Sequence, residues 1–313
     1  MKTTPDPRPR AVSTTAAAGE RALVLHGGGS AGNAWEIGVI AGLFDAGLDV
    51  TDADLLIGTS AGSTVAVQVS VRKPEELLAA ILDAAPGPRR APSGDDPRTP
   101  SARPVGNHLG TMGEIIAGSS DASDMRRRMA AAVLARDRAS DPSAQSERRH
   151  IVAARLPTQS WPERTILITA VDALTGEPVV FDRNSGVELA DAITASTANG
   201  FTVPPHTIGA NRYIDGGYRR NENADLATGY ERVLILSPFA GRTLHPLEWG
   251  MQLAAQVEEL RASGSRVETI FPDEKAIAAF GGNMMDLAAR PPAARAGYDL
   301  GKSLTAELTD FWQ

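Results

Sequence analysis

The stretch LVLHGGGSAGNAWEIGVIAGL, residues 23–43, decides the fold class. A short apolar run precedes three consecutive glycines, and apolar residues at helical spacing follow them. This order predicts a buried strand over 22–26, a tight turn, and a helix that ends at Gly47. The glycines either point backbone N–H groups at a nucleotide phosphate, or hold an anion formed during a reaction, or only allow close packing.

A second strand, predicted over 54–58, leads into TSAGSTVAVQVSV, which has the pattern of another helix. A βαβα opening predicts a parallel sheet covered by helices. Further strands are predicted at 164–173, 178–183, 212–215, 232–237 and 266–271, and further helices at 121–138, 188–198, 245–262 and 293–312. We therefore expect one α/β domain over 20–313, a three-layer α/β/α arrangement with a mainly parallel central sheet.

Two segments offer almost nothing to a core. Residues 1–19 are basic and proline-rich, which fits a disordered tail. Residues 86–108 are rich in proline, glycine, serine and charge, and a loop of this length inside a domain is usually functional or unstructured. We expect a mobile insertion there, which forms a lid or interfacial contact together with 109–118, or else a solvated loop without a role.

Composition excludes several classes of function. The 313 residues carry a formal net charge of −7 and no cysteine, which argues against nucleic acid as a partner and excludes disulfides and thiolate chemistry. The five histidines show no metal-ligand spacing, so we expect neither a metal nor a cofactor. No apolar run approaches the length of a membrane span, and 1–19 lacks the apolar core of a signal peptide, so we expect a cytoplasmic location.

The segment GGGSAG, residues 27–32, matches the G-x-G-x-x-G pattern of dinucleotide sites. Such a site also needs an acidic residue at the end of the next strand, where it holds a ribose hydroxyl. Asp49, Asp52 and Asp54 stand at about the right distance, but they precede that strand. An oxidoreductase that binds nicotinamide or flavin remains an alternative.

The second strand ends in GTSAG, residues 58–62, which is G-x-S-x-G at a strand-to-helix junction. This is the setting of a nucleophile elbow, in which Ser60 sits in a strained turn and side chains at 58 and 62 would collide with their neighbours. A helix that begins at Ala61 directs its positive end at Ser60. With Ser60 as nucleophile, the three glycines gain a role, because acyl transfer forms an oxyanion that backbone N–H groups stabilise.

A serine hydroxyl needs a group that accepts its proton. Ser60, Asp215 and His245 would give the chain order of an α/β-hydrolase triad, but His245 stands directly before a proline and follows no strand. Asp215, in NRYIDGGYRRN, follows a predicted strand and precedes two glycines, although Asp-Gly is also a plain turn signal. His26 is expected to line the glycine turn, and His206 to lie in a loop.

GGGxxG, GxSxG and DGG, in this order, resemble the motifs of the patatin-like phospholipase family. Residues 172–227, with a small-residue run and VPP before Asp215, look like the family's segment that leads into its catalytic aspartate, and the similarity extends over about 20–240. The resemblance implies a lipid acyl hydrolase with a Ser–Asp dyad, a lipid or ester substrate and transient membrane contact. It assigns Ser60 as nucleophile, Asp215 as general base, and Gly27, Gly28 and Gly29 as oxyanion donors.

One departure from the family concerns the first motif. Many members carry arginine or lysine immediately before its last glycine, where this chain has Ala31. A cation at that position could help to hold the oxyanion or a phosphate head group, so the departure bears on the choice of phospholipids as substrates. A protein of the same fold that has lost activity and binds lipid is a further alternative. The sequence does not indicate an oligomeric state.

Overall fold

The computed structural model of the chain describes residues 19–84, 106–137 and 142–313. Residues 1–18 of the predicted tail and all but the last few residues of the 86–108 insertion lie outside these ranges. The strands β1 to β8 are Arg21–Leu25, Leu55–Gly58, Thr165–Asp172, Pro178–Phe181, His206–Ile208, Asn211–Asp215, Arg232–Leu236 and Arg266–Ile270. The helices α1 to α10 are Gly29–Asp45, Ala61–Val71, Pro74–Leu82, Gly106–Ala117, Ala122–Arg136, Pro142–Ala154, Leu189–Ser196, Leu253–Ala262, Glu274–Phe280 and Arg290–Trp312.

The described strands form one sheet in the order β5-β6-β3-β2-β1-β7-β8, and β4 also pairs with β3. The strands from β3 to β8 in this order are parallel, whereas β4, β5 and β6 add to the sheet in antiparallel pairs. The mainly parallel sheet predicted from the sequence is thereby confirmed. Since the carboxyl ends of parallel strands share one edge, the turns after β1 and β2 lie side by side.

Alternation along β1 divides the core between the two faces of the sheet. Leu23 and Leu25 pack with α1, α2, α3, α7 and α10 on one face. Ala22 and Val24 pack with α8 and a 3-10 turn over 224–227 on the other face. Because both faces are covered, the central strands consist of continuous apolar runs. The predicted three layers are therefore present.

Glycines bring α10 directly against α1. A Cβ at Gly38 or Gly42 would collide with backbone atoms of α10, and a Cβ at Gly297 or Gly301 would collide with backbone atoms of α1. α1 ends where the sequence predicts, since Gly47 adopts φ 96° directly after the helix cap. The backbones of α1, which follows the glycine turn, and α10 are therefore in direct contact.

Two predictions about the elements need correction. The helix predicted over 245–262 begins only at Leu253, because Gly250 adopts a left-handed φ of 63° and residues 247–249 form a separate 3-10 turn. His206, expected in a loop, begins the short strand β5. The strand β5 and the helices α3, α4, α6 and α9 are not among the elements predicted from the sequence.

Candidate active site

Ser60 occupies a strained turn between β2 and α2. It adopts φ 52° and ψ −119°, a conformation that L-residues with side chains rarely adopt. A Cβ at Gly58 would lie 2.5 Å from the Cα of Ser63, and a Cβ at Gly62 would collide with the carbonyl oxygen of Leu25. The steric requirement for glycine at both positions, inferred from the sequence, is confirmed. The turn leaves Ser60 partly exposed at the carboxyl edge of the sheet.

The glycine turn, residues 27–32, faces Ser60 from the neighbouring strand. A Cβ at Gly27 would lie 3.0 Å from the Cβ of Ser60 and 3.6 Å from its Oγ. Within the described ranges, the amide N–H groups of Gly27, Gly28 and Gly29 are bonded to no acceptor. These three donors are therefore not used by the backbone hydrogen bonds of the described fold.

The register of β3 brings Asp215 to the level of Ser60. Gly58 pairs with Ile168 of β3, and Asp215 pairs with Ala170, two residues further along the same strand. Ser60 stands two residues beyond Gly58, so both residues reach the same level along β3. A Cβ at Gly216 would collide with Thr169 of β3, which explains why a glycine follows Asp215.

The Ser60 hydroxyl lies beside the Asp215 carboxylate and lowers the pKa of that carboxyl. The N–H of Gly217 donates to Oδ1 of Asp215 at 2.8 Å. Burial raises the pKa of Asp215 to about 6, while the nearby Ser60 hydroxyl, the hydrogen bond from Gly217 and the charge of Arg148 act in the opposite direction. At neutral pH the carboxylate is therefore mostly ionised, and it is a stronger base than an exposed aspartate.

The end of α7 holds both residues of this pair. The Oγ of Ser196 accepts the backbone N–H of Ser60 at 2.9 Å, and the carbonyl of Ala198 accepts the N–H of Asp215 at 2.9 Å. Sequence reasoning did not identify these contacts, although the small-residue run of the resemblance includes both positions. The side chains at 196 and 198 are small, so this part of the chain lies close to both Ser60 and Asp215.

Asn223 is another residue that the sequence did not reveal. It is fully buried with φ 58°, and its Nδ2 donates to Oγ1 of Thr59 at 2.9 Å and to the carbonyl of Gly216 at 3.1 Å. The Oγ1 atoms of Thr59 and Thr169 lie 2.9 Å apart. This network joins the neighbours of Ser60 and Asp215 beneath the site, and no local sequence pattern marks Asn223.

His245 and His206 form their hydrogen bonds away from Ser60 and Asp215. His245 Nδ1 lies 3.2 Å from Oδ1 of Asn221 and 3.2 Å from Oγ1 of Thr243, and its ring packs near Trp249. His206 Nε2 lies 2.8 Å from Oδ1 of Asp191. Within the described residues, neither histidine contacts Ser60 or Asp215. His26 is buried beside the glycine turn, as expected, and its ring meets Phe239 edge-on.

The acids considered for a dinucleotide site lie at the opposite end of β2. Asp54 accepts the N–H groups of Glu20 and Arg21 at 2.9 and 3.0 Å, where β1 begins. Asp52 pairs with Arg21 at 3.0 Å. Since the glycine turn is at the carboxyl edge of the sheet, these carboxylates are a strand length away from it.

A strained serine on a strand-to-helix turn, beside a carboxylate at the carboxyl edge of a parallel sheet, is an arrangement typical of α/β serine hydrolases. A model of the family described as patatin-like phospholipase matches residues 23–228. The chain belongs to this family, whose members are lipid acyl hydrolases. The matched region includes the glycine turn, Ser60 and Asp215.

Other comparisons add little. The crystal structure of VipD from Legionella pneumophila matches with a TM-score of 0.41 and 13% sequence identity, over 93% of this chain and 67% of that one. No curated protein is detectably similar in sequence. Among the described helices, none combines the length and the apolar character needed to cross a bilayer.

Proposed function

We propose that the protein hydrolyses carboxylic esters of lipids through an acyl-enzyme formed on Ser60. The observation that carries the proposal is the position of the Ser60 hydroxyl, which lies in a strained turn beside the Asp215 carboxylate. Membership of the family supports a lipid ester as the substrate. A raised pKa of about 6 suits Asp215 to accept a proton at neutral pH.

In the first half-reaction, Ser60 Oγ attacks the ester carbonyl while its proton passes to Asp215. The negative charge that forms on the carbonyl oxygen lies beside the N–H groups of Gly27, Gly28 and Gly29, and each such donor contributes about 3 kcal/mol. Collapse of the tetrahedral intermediate breaks the ester C–O bond. Asp215 returns its proton to the departing alcohol, and the acyl group stays on Ser60.

In the second half-reaction, water replaces the alcohol. Asp215 accepts a proton from that water as its oxygen attacks the acyl carbon, and the same glycine amides hold the new oxyanion. The fatty acid leaves, and Ser60 regains its proton from Asp215. One carboxylate therefore serves both half-reactions without a histidine.

Hydrolysis of p-nitrophenyl hexanoate and of dihexanoyl phosphatidylcholine tests the proposal. The wild type is expected to cleave at least the activated ester, and Ser60→Ala to lose roughly a thousandfold or more in kcat. Ser70→Ala is the matched control, since Ser70 lies on the same helix and, among the described residues, its hydroxyl bonds only to the carbonyl of Val67 at 2.8 Å. A folded wild type that binds lipid without cleaving either ester would overturn the proposal and indicate an inactive binding protein.

A further inference from the structure

The residues before α10 pack against the glycine turn. The N–H of Ala31 donates to the carbonyl of Met284 at 2.9 Å. A Cβ at Gly29 would lie 2.7 Å from Sδ of Met285 and 3.0 Å from the carbonyl oxygen of Met284. The side chain of Met285 therefore lies directly against one of the three glycines proposed as oxyanion donors.

The segment that carries Met285 is held by hydrogen bonds. Within it, Oδ1 of Asn283 accepts the N–H of Met285 at 3.0 Å, and the carbonyl of Asn283 accepts the N–H of Asp286 at 3.0 Å. At the start of α10, Nη1 of Arg290 donates to the carbonyl of Ser30 at 3.1 Å. These bonds fix the position of Met285 relative to the glycine turn.

Phe239 borders the glycine turn from the end of β7. A Cβ at Gly28 would lie 2.8 Å from Cβ of Pro238, the residue before Phe239. The ring of Phe239 meets that of His26 edge-on, with the ring centroids 5.8 Å apart. In the sheet, β1 lies between β2 and β7. Since neighbouring strands are about 4.8 Å apart, Phe239 stands two strand spacings, about 10 Å, from Ser60.

Both side chains offer apolar surface to solvent beside the site. Met285 is 59% exposed and Phe239 is 36% exposed. Exposed apolar surface of this kind marks places where an apolar ligand binds. In a lipid ester, the carbonyl carbon carries a hydrocarbon chain on one side and the oxygen-rich alcohol portion on the other. An apolar wall next to the oxyanion glycines therefore suits the acyl chain and not the polar alcohol.

We propose that Met285 and Phe239 hold the acyl chain of the substrate while its ester carbonyl lies at Ser60, and that they set the preferred chain length. Met285 contacts the carbons nearest the carbonyl, and Phe239 contacts carbons further along, which an octanoyl chain reaches. This inference rests on the proposed ester hydrolysis and names the residues that select its substrates by acyl length. Both residues lie beyond residue 228, where the match to the family ends, so membership of the family assigns them no role.

Esters of p-nitrophenol with acetic, hexanoic and octanoic acid test the inference, each dissolved below the concentration at which it aggregates. Full burial of one methylene strengthens binding about fourfold, and contact on one side about twofold. The wild type is therefore expected to favour hexanoate over acetate by about tenfold in kcat/KM, and octanoate by more. Met285→Ser is expected to lower the preference for hexanoate over acetate by about fivefold, and Phe239→Ser to lower mainly the preference for octanoate. Met285→Leu keeps an apolar side chain and is expected to keep most of both preferences.

Val71→Ser is the matched control. Val71 is 48% exposed and ends α2, the helix that begins next to Ser60. With a rise of about 1.5 Å per residue, Val71 lies about 15 Å along this helix from Ser60. The control removes exposed apolar surface away from the site and is expected to keep the chain-length preference of the wild type. A fall in preference as large as in Met285→Ser would show that the position of the apolar surface does not matter, and would overturn the inference.

Other results would overturn the inference while leaving the proposed function intact. One is hydrolysis of the acetate as fast as of the longer esters by the wild type. Another is an unchanged chain-length preference in Met285→Ser or in Phe239→Ser. A loss confined to vesicles of dioleoyl phosphatidylcholine, with no change for the dissolved esters, would assign the two residues to a lipid surface and also overturn it. Failure of the wild type to cleave any ester would instead contradict the proposed function, and the inference with it.

Discussion

The segments that carry Ser60 and Asp215 are held in place by different means. Around Ser60, the chain turns so closely that side chains at 58 and 62 would overlap with backbone atoms. Around Asp215, hydrogen bonds from other segments, at Ala198, Gly217 and the Asn223 network, fix the position. Ser60, the proposed nucleophile, is therefore positioned by local sterics, and Asp215, the proposed base, by polar contacts that the fold brings together.

The largest effect is expected on the base side. Asp215→Asn keeps the shape of the side chain but removes the proton acceptor, so kcat is expected to fall by roughly 10⁴. Ester hydrolysis at pH 7 measures the loss, and circular dichroism checks that the fold is retained. Activity equal to that of the wild type would rule out Asp215 as the base.

The same substitution is expected to stabilise the protein. The pKa of Asp215 is raised in the folded state. The protonated carboxyl therefore makes its full contribution to stability below the unfolded pKa of about 4, and this contribution is lost as the pH rises towards 6. Since an amide mimics the neutral acid, Asp215→Asn is expected to gain about 1–3 kcal/mol of unfolding free energy at pH 7, but little at pH 4. Urea titrations at both pH values measure the difference. An equal effect at pH 4 and pH 7 would contradict a raised pKa.

On the elbow side, the expected loss is structural. Gly62→Ala places a Cβ against the carbonyl oxygen of Leu25, where backbone cannot yield easily, and is expected to cost about 3 kcal/mol of unfolding free energy. Gly282→Ala is the control, because a Cβ there meets no atom within 4 Å. Thermal unfolding compares the two variants. A Gly62→Ala protein as stable as its control would show that the elbow is not sterically fixed.

A smaller effect, on both stability and kcat, is expected when Asn223 is removed from its buried hydrogen-bond network. Asn223→Gly permits the left-handed backbone but leaves Thr59 and the carbonyl of Gly216 without their donor. We expect a loss of about 1–3 kcal/mol of unfolding free energy and a fall of about tenfold in kcat. Kinetics and urea unfolding on one preparation separate the two. A full loss of stability with unchanged kcat would mean that the network supports the fold alone.

The smallest effect is expected at Arg148. Its positive charge lowers the pKa of Asp215, so Arg148→Gln is expected to move the acidic limb of the kcat/KM profile upwards from about pH 6. The expected loss of activity at pH 7 is well under that of removing Asp215 itself. A limb that moves to lower pH would contradict the electrostatic role.

The same difference between local sterics and distant contacts explains which parts of the site the sequence predicted. The elbow and the glycine turn are local patterns, so G-x-S-x-G and GGG predicted the position of Ser60, the glycines on either side and the parallel strands before them. The contacts of Ser196 with Ser60 and of Asn223 with Thr59 were not predicted, because they join residues 136 and 164 positions apart and nothing local marks them.

The same limit applies to the charged residues. His245 was a plausible triad member in chain order, yet it lies within hydrogen-bond distance of Asn221 and away from Ser60. Arg290 stands 260 residues from Ser30 and could be placed only by the fold. Chain order and spacing therefore predicted that Ser60 and Asp215 lie together, and the fold was needed to find the groups that surround them.

The most direct test of the central claim is the reaction of the purified protein with a fluorophosphonate, followed by mass spectrometry of its peptides. A single adduct on Ser60 in the wild type, strongly reduced in Asp215→Asn, is the predicted result. It would identify the nucleophile and show that its reactivity depends on the carboxylate. A folded wild type without an adduct on Ser60, or an Asp215→Asn variant labelled as fast as the wild type, would contradict the Ser60–Asp215 dyad.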